Sequence, residues 1–119
     1  MITNFEEVTC DLTKEEYKLV PVLISGLNAR TKLNPILSED IVMAINARRH
    51  EYGLKNKFNG ARLRKLCNFI RSTGMIPLIA SKNGYYVSKN QDEINDQIKS
   101  LEERAASIMA SANGLRKFI

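Results

Sequence analysis

Arg62, Arg64, Lys65, Asn68, Arg71 and Ser72 lie close together between Gly60 and Thr73. At helical spacing Arg64, Lys65, Asn68, Arg71 and Ser72 share one side, with Arg62 flanking them. Arginine and lysine suit phosphate oxygens and guanine edges, and asparagine pairs bidentately with adenine. A helix about 10 to 12 Å wide fits a major groove. The opposite side carries Leu63, Leu66, Cys67 and Ile70, which makes the segment amphipathic. A solvated surface helix has the same pattern, but an ordinary exposed face mixes both signs of charge. Here no acid occurs between Lys55 and Lys89. Lys55, Lys57 and Asn59 before the segment, and Lys82, Asn83 and Tyr85 after it, extend the set of candidate duplex contacts.

Other chemistry finds no constellation. There is no Gly-rich phosphate loop, no paired carboxylates among histidines, and no Ser or Cys nucleophile beside a base, so an enzyme is not expected. Cys10 and Cys67 are not at metal-site spacing, and His50 is the one nitrogen ligand that could join them. No metal or other cofactor is expected. Cys67 falls on the apolar side of its helix, where a thiol is inert. The segment Met1 to Thr13 has acids where a secretory signal has bases, and no apolar run approaches a membrane span of roughly 18 residues. The expectation is a cytoplasmic chain with reduced thiols and no membrane partner.

Charge is unevenly distributed. Of the net +5, residues 1–27 contribute −3 and residues 90–119 contribute −1. Residues 28–89 hold twelve Lys and Arg against Glu39, Asp40 and Glu51, a net charge of +9. Such segregation fits a polyanion footprint. With 119 residues and ordinary globular composition, one domain with one core is expected. It divides into an N-terminal segment and first helix (1–30), a central core (31–90) and a long last helix (91–119).

The elements that must position these residues can be read in turn. Thr13-Lys-Glu-Glu16 has the form of a capping box. A first helix follows to about Arg30, with Tyr17, Val20, Ile24 and Leu27 on one face and Pro21 as a kink or a late start. Pro35-Ile36-Leu37 is long enough for one short strand. Ser38 is expected to cap a second helix reaching about Arg49, with Glu39 and Asp40 in its first turn. Its apolar face is Ile41, Val42 and Ile45, with Met43 beside them, and Tyr52-Gly53 ends it. Leu54 and Phe58 anchor the connection that follows, Asn59 caps the third helix and Gly74 stops it. Met75 to Ala80 and Tyr85 to Lys89 form a hairpin across Ser81-Lys82-Asn83-Gly84, with Asn-Gly as its turn signal. A last helix runs from about Asp92 to Ala112. Alternation along the strand sends Tyr85 and Tyr86 to opposite faces without saying which is buried.

The fold class expected is mainly α with a small β-hairpin and a long C-terminal helix, in the order α-β-α-α-β-β-α. From Lys32 to Lys89 this order and its residues resemble the winged helix-turn-helix family. Arg64-Lys65-Leu66-Cys67-Asn68-Phe69-Ile70-Arg71, with Gly74-Met75-Ile76-Pro77 and Gly84-Tyr85-Tyr86-Val87, is similar more narrowly to small winged-helix proteins of phages and prophages. The resemblance implies that the short strand pairs with the hairpin and that Gly60 to Thr73 is the recognition helix. It also implies a wing tip at Ser81-Lys82-Asn83-Gly84-Tyr85, and double-stranded DNA as the partner in transcription control or replication. The connection from Arg49 to Asn59 is longer than the usual turn of that family. An adaptor that meets an acidic protein surface is the alternative, and an RNA binder a third reading.

The last helix carries a separate signal. Ile94, Ile98, Leu101, Ala105, Ile108, Ala112 and Leu115 alternate at spacings of four and three, forming one seam. The seam either packs within the monomer or joins two chains in a homodimer that would present two recognition helices to a paired site.

Overall fold

The computed structural model describes residues 11–119, so Cys10 lies outside the described residues. The described residues form two compact units that divide between Ser88 and Lys89. The first contains α1 (Lys14–Asn28), α2 (Ser38–Ala47), α3 (Gly60–Ser72) and an antiparallel hairpin of β1 (Leu78–Ser81) and β2 (Gly84–Val87). The second is α4 (Gln91–Leu115) with a short 3-10 turn, Arg116–Phe118. Among the described residues, no helix is long and apolar enough to cross a membrane.

The capping box closes the start of α1 in both directions. The Thr13 amide donates to Glu16 Oε1 at 2.8 Å, and the Glu16 amide donates to Thr13 Oγ1 at 3.2 Å. Pro21 stands on the exposed side and the helix continues through it. The buried face is Glu16, Leu19, Val20, Leu23 and Leu27, rotated from the expected one. Tyr17 is half exposed and meets Phe69 edge-on, with ring centroids 5.5 Å apart. Ile24 is only partly buried.

Ser38 is the first helical residue of α2, and Leu37 occupies the cap with no side-chain bond, which corrects the expected Ser38 cap. Leu37 keeps extended backbone because it directly follows Ile36, which pairs with Tyr85 of β2. The Ile36 amide donates to the Tyr85 carbonyl at 2.9 Å, and the Tyr85 amide donates to the Ile36 carbonyl at 2.8 Å. Ile41 and Ile45 are buried, Val42 half-buried and Met43 exposed. The long connection to α3 is pinned by Asn46, whose side-chain amide donates to the Phe58 carbonyl and accepts from the Phe58 amide, at 3.0 and 2.8 Å. Leu54 and Phe58 are buried there, as their apolar character within a polar stretch implied.

Leu63, Leu66, Cys67 and Ile70 of α3 enter the core with α1's leucines, Ile41, Ile45 and Leu78. Asn59 accepts from the Arg62 amide at 2.8 Å, and Gly74 ends the segment with φ 68°. Ser81 pairs with Gly84, leaving Lys82 and Asn83 as central residues, and positive φ falls on Gly84 alone, at 123°. The Ser81 hydroxyl donates to the Gly84 carbonyl and accepts from the Asn83 amide, closing the turn from within. Tyr86 is buried opposite Ile79, and Tyr85 is the half-exposed tyrosine.

In the second unit, Asn90 caps α4 by accepting from the Asp92 and Glu93 amides. The helix runs 25 residues, through Gly114 and beyond the expected end near Ala112. None of its residues is buried.

Candidate nucleic-acid interface

The exposed side of α3 sorts the expected contacts into two groups. Arg64, Asn68 and Ser72 are exposed and Arg71 is partly so, along a stripe opposite Leu63, Leu66 and Ile70. Lys65 and Arg62 lie round the helix toward α1, about 100° and 160° from Arg64 at 100° per residue. There they meet Glu16, the one buried acidic side chain among the described residues. Lys65 Nζ is 2.7 Å from Glu16 Oε1, and Arg62 Nε donates to Glu16 Oε2 at 3.0 Å. Arg62 also reaches Glu15 Oε2 at 3.4 Å and lies over the Phe58 ring, 5.7 Å from its centroid.

Glu16 is 2% exposed, and burial by itself would push its carboxyl upward. Hydrogen bonds from Lys65, the Thr13 amide and Arg62, with the charge of Lys65, outweigh burial and hold it at about 2. It is therefore a carboxylate at neutral pH, and two of the expected DNA contacts, Arg62 and Lys65, neutralise it. Their side chains retain only 19% and 12% exposure. A signal for this partner lies in the capping box, since an acid at its third position is fixed on the helix and here shares the buried face. The spacing of α3 alone did not show which of its cations would meet it.

Lys55 and Lys57 stand on that same side. The Lys55 amide donates to Glu15 Oε1, and Lys57 borders a shallow cleft with Lys14, Glu15, Glu16, Asn56 and Arg62. Asn59 is used as the cap of α3.

The other group meets the hairpin. Tyr85 lies beside Cys67 and near the charges of Arg71 and Arg64. Burial pushes the Tyr85 hydroxyl up to about 12 and the Cys67 thiol up to about 11, so both are neutral at physiological pH. Tyr85 thus ties β2 to the border of the arginine stripe, while Lys82 and Asn83 stand exposed at the tip. Neither the thiol contact nor the choice of Tyr85 over Tyr86 was legible from strand alternation.

Ser72 donates to the Phe69 carbonyl within its own helix. Among the described residues, no cluster of three or more His, Cys, Asp or Glu could hold a metal. Family models, curated proteins and solved structures contain no match to this chain.

Proposed function

We propose that the first unit is a winged helix-turn-helix module that binds duplex DNA, with α3 in the major groove and the hairpin as its wing. The observation that carries this reading is the junction at Tyr85, where an exposed Arg64–Asn68–Arg71 stripe adjoins a strand ending in an exposed Lys82–Asn83 tip. The edge pairing of Ile36 with Tyr85 supports the same reading, because it fixes the hairpin to the start of α2.

In this arrangement Arg64 and Arg71 meet phosphates, Asn68 reads a base, and Lys82 meets phosphate across the neighbouring backbone. Arg62 and Lys65 hold α3 against α1 through Glu16 and are left out of the interface. Lys55 and Lys57, beside Glu15, lie outside its centre. No step of this reading needs a reaction, a metal or a cofactor.

Anisotropy of a labelled random-sequence duplex, titrated with the full chain between about 50 and 200 mM salt, tests it. Affinity should fall linearly on logarithmic axes with slope about −0.9 per phosphate contacted. Polyglutamate, an acidic polymer without grooves, should compete poorly. Absence of duplex binding at the lowest salt, or equal binding to polyglutamate, overturns the reading in favour of an acidic protein partner.

A further inference from the structure

The second unit has an apolar seam and no buried residue to show for it. Ile98, Leu101, Ile108 and Leu115 are 48%, 37%, 71% and 69% exposed, and Ala105 and Ala112 complete the repeat of fours and threes. A 25-residue helix extends about 37 Å at 1.5 Å per residue. Leaving such a stripe in water along that length is unfavourable, and the sequence also specifies what fits it.

Two features of α4 are complementary to α4 itself when one copy is reversed. The first is charge. Residues 91–103 carry five acids and Lys99, a net −4, whereas residues 104–119 carry Arg104, Arg116 and Lys117 and no acid, a net +3. Parallel pairing in register would set acid against acid along one half and base against base along the other. Reversal sets each acidic half against a basic one and opposes the two helix dipoles. Asp92, Glu93, Arg116 and Lys117 also complement the dipole of their own helix, but Glu102, Glu103 and Arg104 are too far from the ends for that.

The second feature is size. Parallel pairing in register places Ala105 on Ala105 and Ala112 on Ala112, leaving two thin layers between bulky ones. With the copy reversed and Ala105 opposite Ile108, Leu101 falls opposite Ala112 and Ile98 opposite Leu115. Each alanine then meets a large side chain, which packs the seam evenly.

We infer that α4 pairs with α4 of a second copy of this chain in antiparallel orientation, making the protein a homodimer independently of any nucleic acid.

Sedimentation of the full chain, without DNA, across the micromolar range tests the association, and a spin-label distance tests the direction. Asn95 is exposed and off the seam, and in this register it faces residue 118 of the other copy. Asn95→Cys, labelled in a Cys10→Ser background, should give an inter-label distance of about 35 Å, set by 23 residues of axial offset. Leu101→Glu with Ile108→Glu should give a monomer whose first unit still unfolds cooperatively, because no residue of α4 is buried. A wild-type monomer throughout the range overturns the inference, as does an inter-label distance under about 20 Å, which marks parallel pairing. Either failure leaves the duplex-binding reading untouched, since no nucleic acid enters the measurement.

Discussion

Among single residues, Glu16 decides most about α3. A buried carboxylate is costly unless its partners outweigh desolvation, and here they do, through Lys65, the Thr13 amide and Arg62. Its pKa is depressed from the ordinary 4.5 to about 2. The associated stability is therefore fully present above the unfolded value and is lost as pH falls from about 4.5 toward 2. By linkage it amounts to about 3 kcal/mol. Glu16→Gln should lower urea-unfolding stability by about that amount at pH 6, and wild type and variant should converge as pH approaches 2. Parallel pH profiles for the two proteins would mean that Glu16 is not the acid-sensitive group. Arg62 and Lys65 therefore cannot serve both Glu16 and a phosphate without giving up part of this stability.

At the scale of elements, the hairpin is held by a backbone approach that only glycine allows. A Cβ on Gly84 would lie 2.4 Å from the Ile36 carbonyl oxygen and 2.5 Å from its carbon, and Gly84 also has φ 123°. The neighbour is backbone in the Ile36–Tyr85 pairing, so it cannot retreat without breaking two hydrogen bonds. Gly84→Ala should therefore cost more than about 2 kcal/mol, whereas Gly53→Ala, at φ 69° with open space around it, should cost only about 1 kcal/mol. Thermal unfolding of the two variants checks this, and equal costs would show that the hairpin is not held to Ile36.

Much of this arrangement was legible in the sequence where local chemistry decides structure. Thr13 and Glu16, Asn59, Gly74 and the apolar set Leu63, Leu66, Cys67 and Ile70 all behave as their types and spacing imply. The expectation failed where packing chooses between near-equivalent patterns. On α1, Leu19 and Leu23 displace Tyr17 and Ile24 from the core because a second apolar stripe lies one step round the helix. At Ser38, the pairing of Ile36 with β2 sets where α2 begins, and a good capping residue is drawn into the helix. The division of the cations of α3 between Glu16 and solvent is also tertiary, since it depends on which edge of α3 faces α1.

On the scale of the whole molecule, the net +9 of residues 28–89 is not one uniform surface. Arg48 is paired with Glu51 at 2.8 Å, and Arg62 and Lys65 with Glu16. The proposed footprint is thereby narrowed to the Arg64–Asn68–Arg71 stripe and the Lys82 tip. The acidic and basic halves of α4 form a second, separate pattern, suited to another copy of the helix. The central claim is that the stripe, and not the Glu16 side of α3, meets the duplex. The most direct test is the salt dependence of duplex binding for three proteins: wild type, Arg64→Ala with Arg71→Ala, and Lys65→Ala. The double variant should lose about 1.8 units of the logarithmic slope, at 0.9 per phosphate contact. Lys65→Ala should keep the wild-type slope and lose stability instead. A full slope in the double variant, or a slope lost only with Lys65, would contradict the account.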